Sequence, residues 1–294
     1  MAFSIQRWSA CTLFGMLGWG GIATGEESVM EVEAIPLSVR QEFDLNPFYQ
    51  KCIVLEGFPI VSSSEVSDFS ILEAAYLIRR MLKDREDILA ALARNNVRFT
   101  VMAWNERTTD VPEHSDLEPP LFWDRRARGL GATRARPSVS CGEENLLGFP
   151  GDPYRQENIL IHEFAHAVHE MAMRDVDPTF DERLQKAFRR AKLKGIWKGA
   201  YAESKHREYF AEGVQSWYDT NRENDNQHNH IDTREELLEE DPLLAKLVQE
   251  VFPDDSWRYA HPADRKELEH LEDFDPGKAP IFAWSEEEEA AKNW

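Results

Sequence analysis

The spacing of apolar and polar residues changes several times along the chain, and each change marks a part of the fold. From Glu26 to about Asn46 no period is clear, and the segment reads as a lead-in. Cys52 to Leu55 and Phe58 to Ser62, on either side of Glu56-Gly57, read as short strands. Between Ser67 and Arg85, Ile71, Ala75, Ile78 and Leu82 fall at i, i+4, i+7 and i+11. That is one stripe of an amphipathic helix, capped by Ser67 or Asp68. A second short helix follows from Glu86 to about Arg94. After the Asn95-Asn96 break, Val97, Phe99, Val101 and Ala103 alternate with more variable partners, a strand signal over Val97 to Trp104. Residues 105–151 are rich in Pro, Gly, Asp and Arg and predict long loops with one or two short strands, a composition suited to lining a cleft.

From Asp152-Pro153 onward the pattern turns helical. Helices are expected near Asn158 to Met173, Asp181 to Lys194, Glu208 to Thr220, Thr233 to Glu239 and Pro242 to Val251. Thr233 with Glu236 fits a capping box, and Asp241-Pro242 is a cap followed by a first-turn proline. The sum is an α+β fold. One domain is expected over 26–294: an α/β part at 26–150, a helical part at 151–252 and an acidic extension at 253–294.

Composition narrows the function. Hydrophobic residues at 42%, with nine Trp and sixteen Phe in 294 residues, argue for a packed globule and against disorder. The net charge of -20 repels phosphate backbones, so nucleic acid and anionic membranes are poor partners. Arg183 to Lys198 holds seven basic residues and no acidic one, whereas 231–294 holds 19 acidic and 7 basic. Both blocks read as solvated faces, and Glu286 to Glu289 as a frayed tail. Arg7, the uncharged stretch Ser9 to Ile22 and Ala23-Thr24-Gly25 read as a signal peptide over residues 1–25. A secreted or extracytoplasmic protein follows, periplasm and cell envelope included. No other apolar run approaches spanning length, so no membrane partner is expected after cleavage. The leader removes Cys11, and Cys52 and Cys141 remain as one disulfide or as two independent buried thiols.

The chemistry is concentrated at His162-Glu163-Phe164-Ala165-His166, inside the apolar run Ile159 to Glu170. On a helix, residues four apart are rotated by about 40°, so both imidazoles face one point. Neutral imidazole suits Zn²⁺, and two such ligands leave tetrahedral positions for a third protein ligand and a water. Glu163 is placed to accept that water's proton and pass it to a leaving amine. A metzincin has glycine at position 169 and histidine at 172. This chain has His169 and Ala172, and His169 is expected behind the ligands or in the core. The better third ligand lies in Tyr201 to Trp217, where Glu208 and Glu212 stand at i and i+4 on a helix whose other face is Phe210, Val214 and Trp217. One carboxylate can bind zinc while the other orients a ligand histidine.

His162 to His166, Tyr201 and Glu208-Tyr209-Phe210-Ala211-Glu212 together resemble the catalytic domain of the anthrax lethal factor family and, less closely, Mlc titration factor A, zinc peptidases of the glutamate-zincin type. The resemblance covers about residues 150–220. It implies a zincin-like fold and one Zn²⁺ per chain on His162, His166 and Glu208. It further implies Glu163 as general base, Tyr201 as hydrogen-bond donor to the developing oxyanion, and Glu212 behind a ligand. A secreted zinc endopeptidase acting on a protein or peptide is then expected. The alternatives are a non-catalytic zincin-fold binding or toxin-like module, and a metal-dependent hydrolase of a non-peptide amide or ester. Gly213 departs from what a helix favours and suits close helix packing. Gly129 to Thr133, with Val139 to Asn145, reads either as a cleft edge where an extended peptide adds as a strand or as an ordinary glycine turn. His228 and His230 read as a polar loop before the Thr233 cap, ahead of a second metal site.

Overall fold

The computed structural model describes residues 30–267 and 269–291, so the leader expected at 1–25 lies outside the described residues. After β1 (Glu33–Ala34) and α1 (Leu37–Glu42), β2 (Lys51–Leu55) reverses into β3 (Phe58–Ser62) through Glu56 and Gly57. Both turn residues take positive φ, 47° and 83°, the backbone that matches the twist of a two-residue hairpin. Helices α2 (Asp68–Met81) and α3 (Glu86–Arg94) then carry the chain to β4 (Arg98–Met102), parallel to β3. Next come α4 (Pro120–Arg126), β5 (Gly129–Leu130), β6 (Ser138–Gly142) and α5 (Glu143–Leu147). The six strands form one mixed sheet in the order β1-β2-β3-β4-β6-β5.

The remainder is helical: α6 (Ile159–Ala167), a π-helical turn over Val168–Ala172, α7 (Met173–Val176), α8 (Phe180–Lys194), α9 (His206–Trp217), α10 (Arg234–Glu240) and α11 (Pro242–Gln249). Beyond several short turns lies α12 (Glu286–Ala291). Among the described residues no helix is long and apolar enough to cross a membrane.

The sheet's register explains where α6 sits. Ile53, Ile60, Phe99 and Val139 are paired across four strands and form one apolar row. Phe164 of α6 packs on that face, 5.9 Å from Phe58 and 6.4 Å from Phe99 between ring centroids. The row on the opposite face, Cys52, Val61, Thr100 and Ser140, is more polar, and residues 35–49 cover part of it.

Two open alternatives close here, and one expectation changes. Cys52 and Cys141 are free, buried thiols. They lie on opposite faces with β3 and β4 between their strands, and three strand spacings amount to about 14 Å, far beyond a disulfide's reach. Val139 to Asn145 is no cleft edge: Ser138–Gly142 is a fully buried interior strand and α5 follows it. The acidic end is also not a frayed tail, because α12 buries Glu288 against Arg107, whose Nη2 donates to Glu288 Oε2 at 3.0 Å. A helix separates the four glutamates by face, so one docks while its neighbours stay wet.

Gly213 brings α11 close to α9. A Cβ at Gly213 would lie 2.5 Å from Cδ2 of buried Leu244. Gly213→Ala, favourable for an isolated helix, is therefore expected to destabilise by about 1–3 kcal/mol in urea unfolding. The double variant with Leu244→Ala should lose less than the sum of the single losses, and strict additivity would contradict this packing.

Candidate metal centre

Asn158 starts α6, its Oδ1 accepting from the Ile161 N–H at 3.0 Å. Asn145 anchors the same end to α5, its Oδ1 accepting from the Ile159 N–H at 2.8 Å. With Ile161, Phe164 and Ala165 buried in the core, His162 and His166 turn toward α9, which carries Glu208 in its first turn. The atoms His162 Nε2, His166 Nε2 and Glu208 Oε2 then form a small triangle. Its sides are 3.2 Å between the imidazoles, 3.0 Å from His166 to Glu208 and 3.4 Å from His162 to Glu208. Four ligands at about 2.05 Å from a tetrahedral zinc stand about 3.3 Å apart, so the triangle has the size of one face of that tetrahedron. Two imidazole nitrogens this close cannot both carry a proton pointed at the other, whereas both can offer a lone pair to one cation.

The amide of Gln215 sets the tautomer of His162. Its Nε2 donates to Glu157 Oε2 at 3.2 Å, which turns Oε1 toward His162. The His162 Nδ1–H donates to that oxygen at 2.7 Å, so that in the neutral ring the lone pair lies on Nε2, in the triangle. Glu157 is itself held by Arg222 at 3.2 Å.

Negative charge surrounds the imidazoles. Burial opposes protonation of His162, but the hydrogen bond to Glu208 and the charges of Glu163, Glu212 and Glu208 push its pKa up to about 10. Burial likewise works against the Glu208 carboxylate, yet hydrogen bonds from His162 and His166 hold it far below the usual range. A pocket that pulls this strongly on a proton also favours a metal cation.

Glu163 is half-buried and, with the Tyr201 ring, lines a cleft of about 400 Å³ that reaches the triangle. Burial raises the Glu163 pKa, with His162 and His166 opposing it. Burial and the nearby Glu208 charge push Tyr201 up to about 12. The outer strand β5 and the residues after it form one wall. At Gly131 an added Cβ would lie 2.9 Å from His166 Cβ and 3.3 Å from Glu163 Oε2, so backbone passes directly over the candidate ligands. A larger cavity of about 790 Å³, lined by Tyr76, Arg79 and Arg80, contains none of these residues.

Other predicted residues lie elsewhere. Glu212 is buried, but its Oε1 is 3.8 Å from His162 Nδ1, beyond hydrogen-bond reach. Gln215 takes the orienting position instead, while Glu212 Oε2 accepts from Asn221 Nδ2 at 3.0 Å. His169 does not stand behind the ligands: its Nε2 meets Asp181 Oδ1 at 3.0 Å in a separate cluster. Three residues beyond His166, it is about 4.5 Å further along the helix axis. His228 and His230 diverge, the first 2.8 Å from Asp225 and the second 3.6 Å from Glu240. Sequence reasoning missed Gln215 and Glu157. The signal for Gln215 was its place at i+7 from Glu208, on the stripe that Glu212 continues.

The sequence matches no family model and no curated protein. Among solved structures it is similar to the Pro-Pro endopeptidase PPEP-2 from Paenibacillus alvei, at 21% identity, over 67% of this chain and 98% of that chain, with a TM-score of 0.40. A likeness at that score is too slight to bear on activity.

Gln215→Leu is expected to weaken divalent-metal affinity by about tenfold to a hundredfold, read by competition with a chromophoric chelator. Unchanged affinity in a folded variant would remove Gln215 from the centre.

Proposed function

We propose that this chain is a secreted zinc-dependent endopeptidase with a zincin-like fold. One Zn²⁺ is held by His162, His166 and Glu208, and the substrate is a peptide or protein. The observation that carries this reading is the convergence of His162 Nε2, His166 Nε2 and Glu208 Oε2 within 3.4 Å of one another beside Glu163. Two imidazoles and a carboxylate are a donor set that suits zinc and leaves a position for water.

When bound, zinc lowers the pKa of a water to about 7 and polarises a carbonyl oxygen. Glu163 takes the proton as the water oxygen attacks the peptide carbonyl carbon, and delivers it to the amine nitrogen as the C–N bond breaks. Burial supports this shuttle, because it raises the proton affinity of the Glu163 carboxylate. Tyr201 donates a hydrogen bond to the carbonyl oxygen as its negative charge grows. With its pKa pushed up to about 12, the phenol stays a donor at neutral pH. The edge of β5 supports a peptide over other amides or esters. It ends the sheet and leads into Gly131, where an extended chain can pair with backbone beside Glu163 and His166.

Glu163→Gln should keep the zinc held by His162, His166 and Glu208 and lose roughly 10²- to 10⁴-fold in kcat on a cleaved peptide. Tyr201→Phe should lower kcat by roughly 10²- to 10³-fold with KM little changed. A peptide library with a chelator control separates a protease from a non-catalytic module. Full zinc stoichiometry in the double variant His166→Ala with Glu208→Ala would falsify the ligand assignment.

A further inference from the structure

Beyond His166, three side chains from three separate elements meet at a second point. His169 stands on the π-helical turn after α6, Asp181 in the first turn of α8, and His206 at the first residue of α9. Asp181 Oδ1 lies 3.0 Å from His169 Nε2 and 3.2 Å from His206 Nε2, and all three atoms fall within 4.8 Å of one another. Both carboxylate distances are close to the ligand separation of about 3.3 Å that a tetrahedral zinc imposes. The remaining Asp181 oxygen is taken: Gln185 Nε2 donates to Oδ2 at 2.8 Å, which fixes the carboxylate with Oδ1 toward the imidazoles. His169 is buried, whereas Asp181 and His206 are partly exposed. Water can therefore complete a coordination shell from the outer side.

We propose that His169, Asp181 and His206 form a second divalent-metal site for Zn²⁺ or a similar transition ion, separate from the triangle at His162. The donors are again two imidazoles and a carboxylate, a set that suits late first-row ions and not Mg²⁺ or Ca²⁺. The position gives the ion a structural role. It ties the residue two before Glu208 to the turn three after His166, and ties both to α8. The helices that present the first triangle are thereby clamped from behind.

The test uses the full chain freed of metal by a chelator and titrated with Zn²⁺, by calorimetry and by competition with a chromophoric chelator. The native sequence should bind two equivalents. His206→Gln and Asp181→Asn should each remove one and retain the other, with far-UV circular dichroism unchanged. Glu208→Ala should remove the opposite one. Two equivalents in both His206→Gln and Asp181→Asn overturn the proposal. So does a single native equivalent that both variants keep and Glu208→Ala loses, a result that leaves the first site standing. A single native equivalent lost in His206→Gln but kept in Glu208→Ala supports the second site and removes the first.

Discussion

Glu163, Glu208 and Glu212 are drawn together around two imidazoles in a mostly buried space, and this concentration of negative charge governs the centre. An unpaired carboxylate taken out of water costs several kcal/mol, so each must find a compensating group. Glu212 has Asn221 at 3.0 Å and His228 at 3.6 Å, and Glu208 has the two ligand histidines. Glu157, a fourth carboxylate, stands between Arg222 and Gln215 and passes its influence to His162 only through a neutral amide. Glu163, which also lines the cleft, has no such partner among these bonds.

That centre is positioned by two different kinds of contact. Phe164 seats α6 on the apolar row of the sheet, a broad contact that fixes the helix face without selecting a detailed geometry. The cleft wall is fixed by polar bonds. Arg128, immediately before β5, is fully buried and donates through Nη2 to Glu144 Oε2 at 2.9 Å and through Nη1 to the Glu106 carbonyl at 2.6 Å. A buried pair of this kind contributes little net stability, but truncating one partner strands the other, so it acts as a register pin for the outer strand. The glycines then let the chain follow that line close to Ile159, Glu163 and His166.

Much of this was legible in the sequence because it depends on local periodicity. Ile71, Ala75, Ile78 and Leu82, read as one helical stripe, are all buried. Glu56-Gly57 punctuates two apolar runs, and a hairpin forms there. The spacing of His162 and His166 determines that they share a face, and Glu208 arrives beside them in the structure. Features that depend on distant partners were not legible. Ser138-Val139-Ser140-Cys141-Gly142 has too little apolar alternation to announce an interior strand; its serines face Thr100 and His114, at 2.8 Å and 3.3 Å, from other parts of the chain. The partner of Glu288 is 181 residues away at Arg107. Gln215 has no charge and no motif, and its role emerges only when Glu157 fixes which end of the amide faces His162. The disulfide question turned on strand order, which pairs of cysteines in a sequence do not reveal.

The two thiols give the fold a chemical property of its own. Burial pushes Cys52 up to about 11 and Cys141 well above the ordinary thiol value, so almost none of either is thiolate at neutral pH. Thiolate is the form that attacks oxidants and disulfides, so in the finished sheet both buried sulfurs are unreactive. Their vulnerability is confined to the time before β2 and β6 are covered. Wherever folding takes place in an oxidising setting, it is a race between strand burial and sulfur chemistry, and a folding delay, not a change in the native state, is what opens the chain to cross-linking.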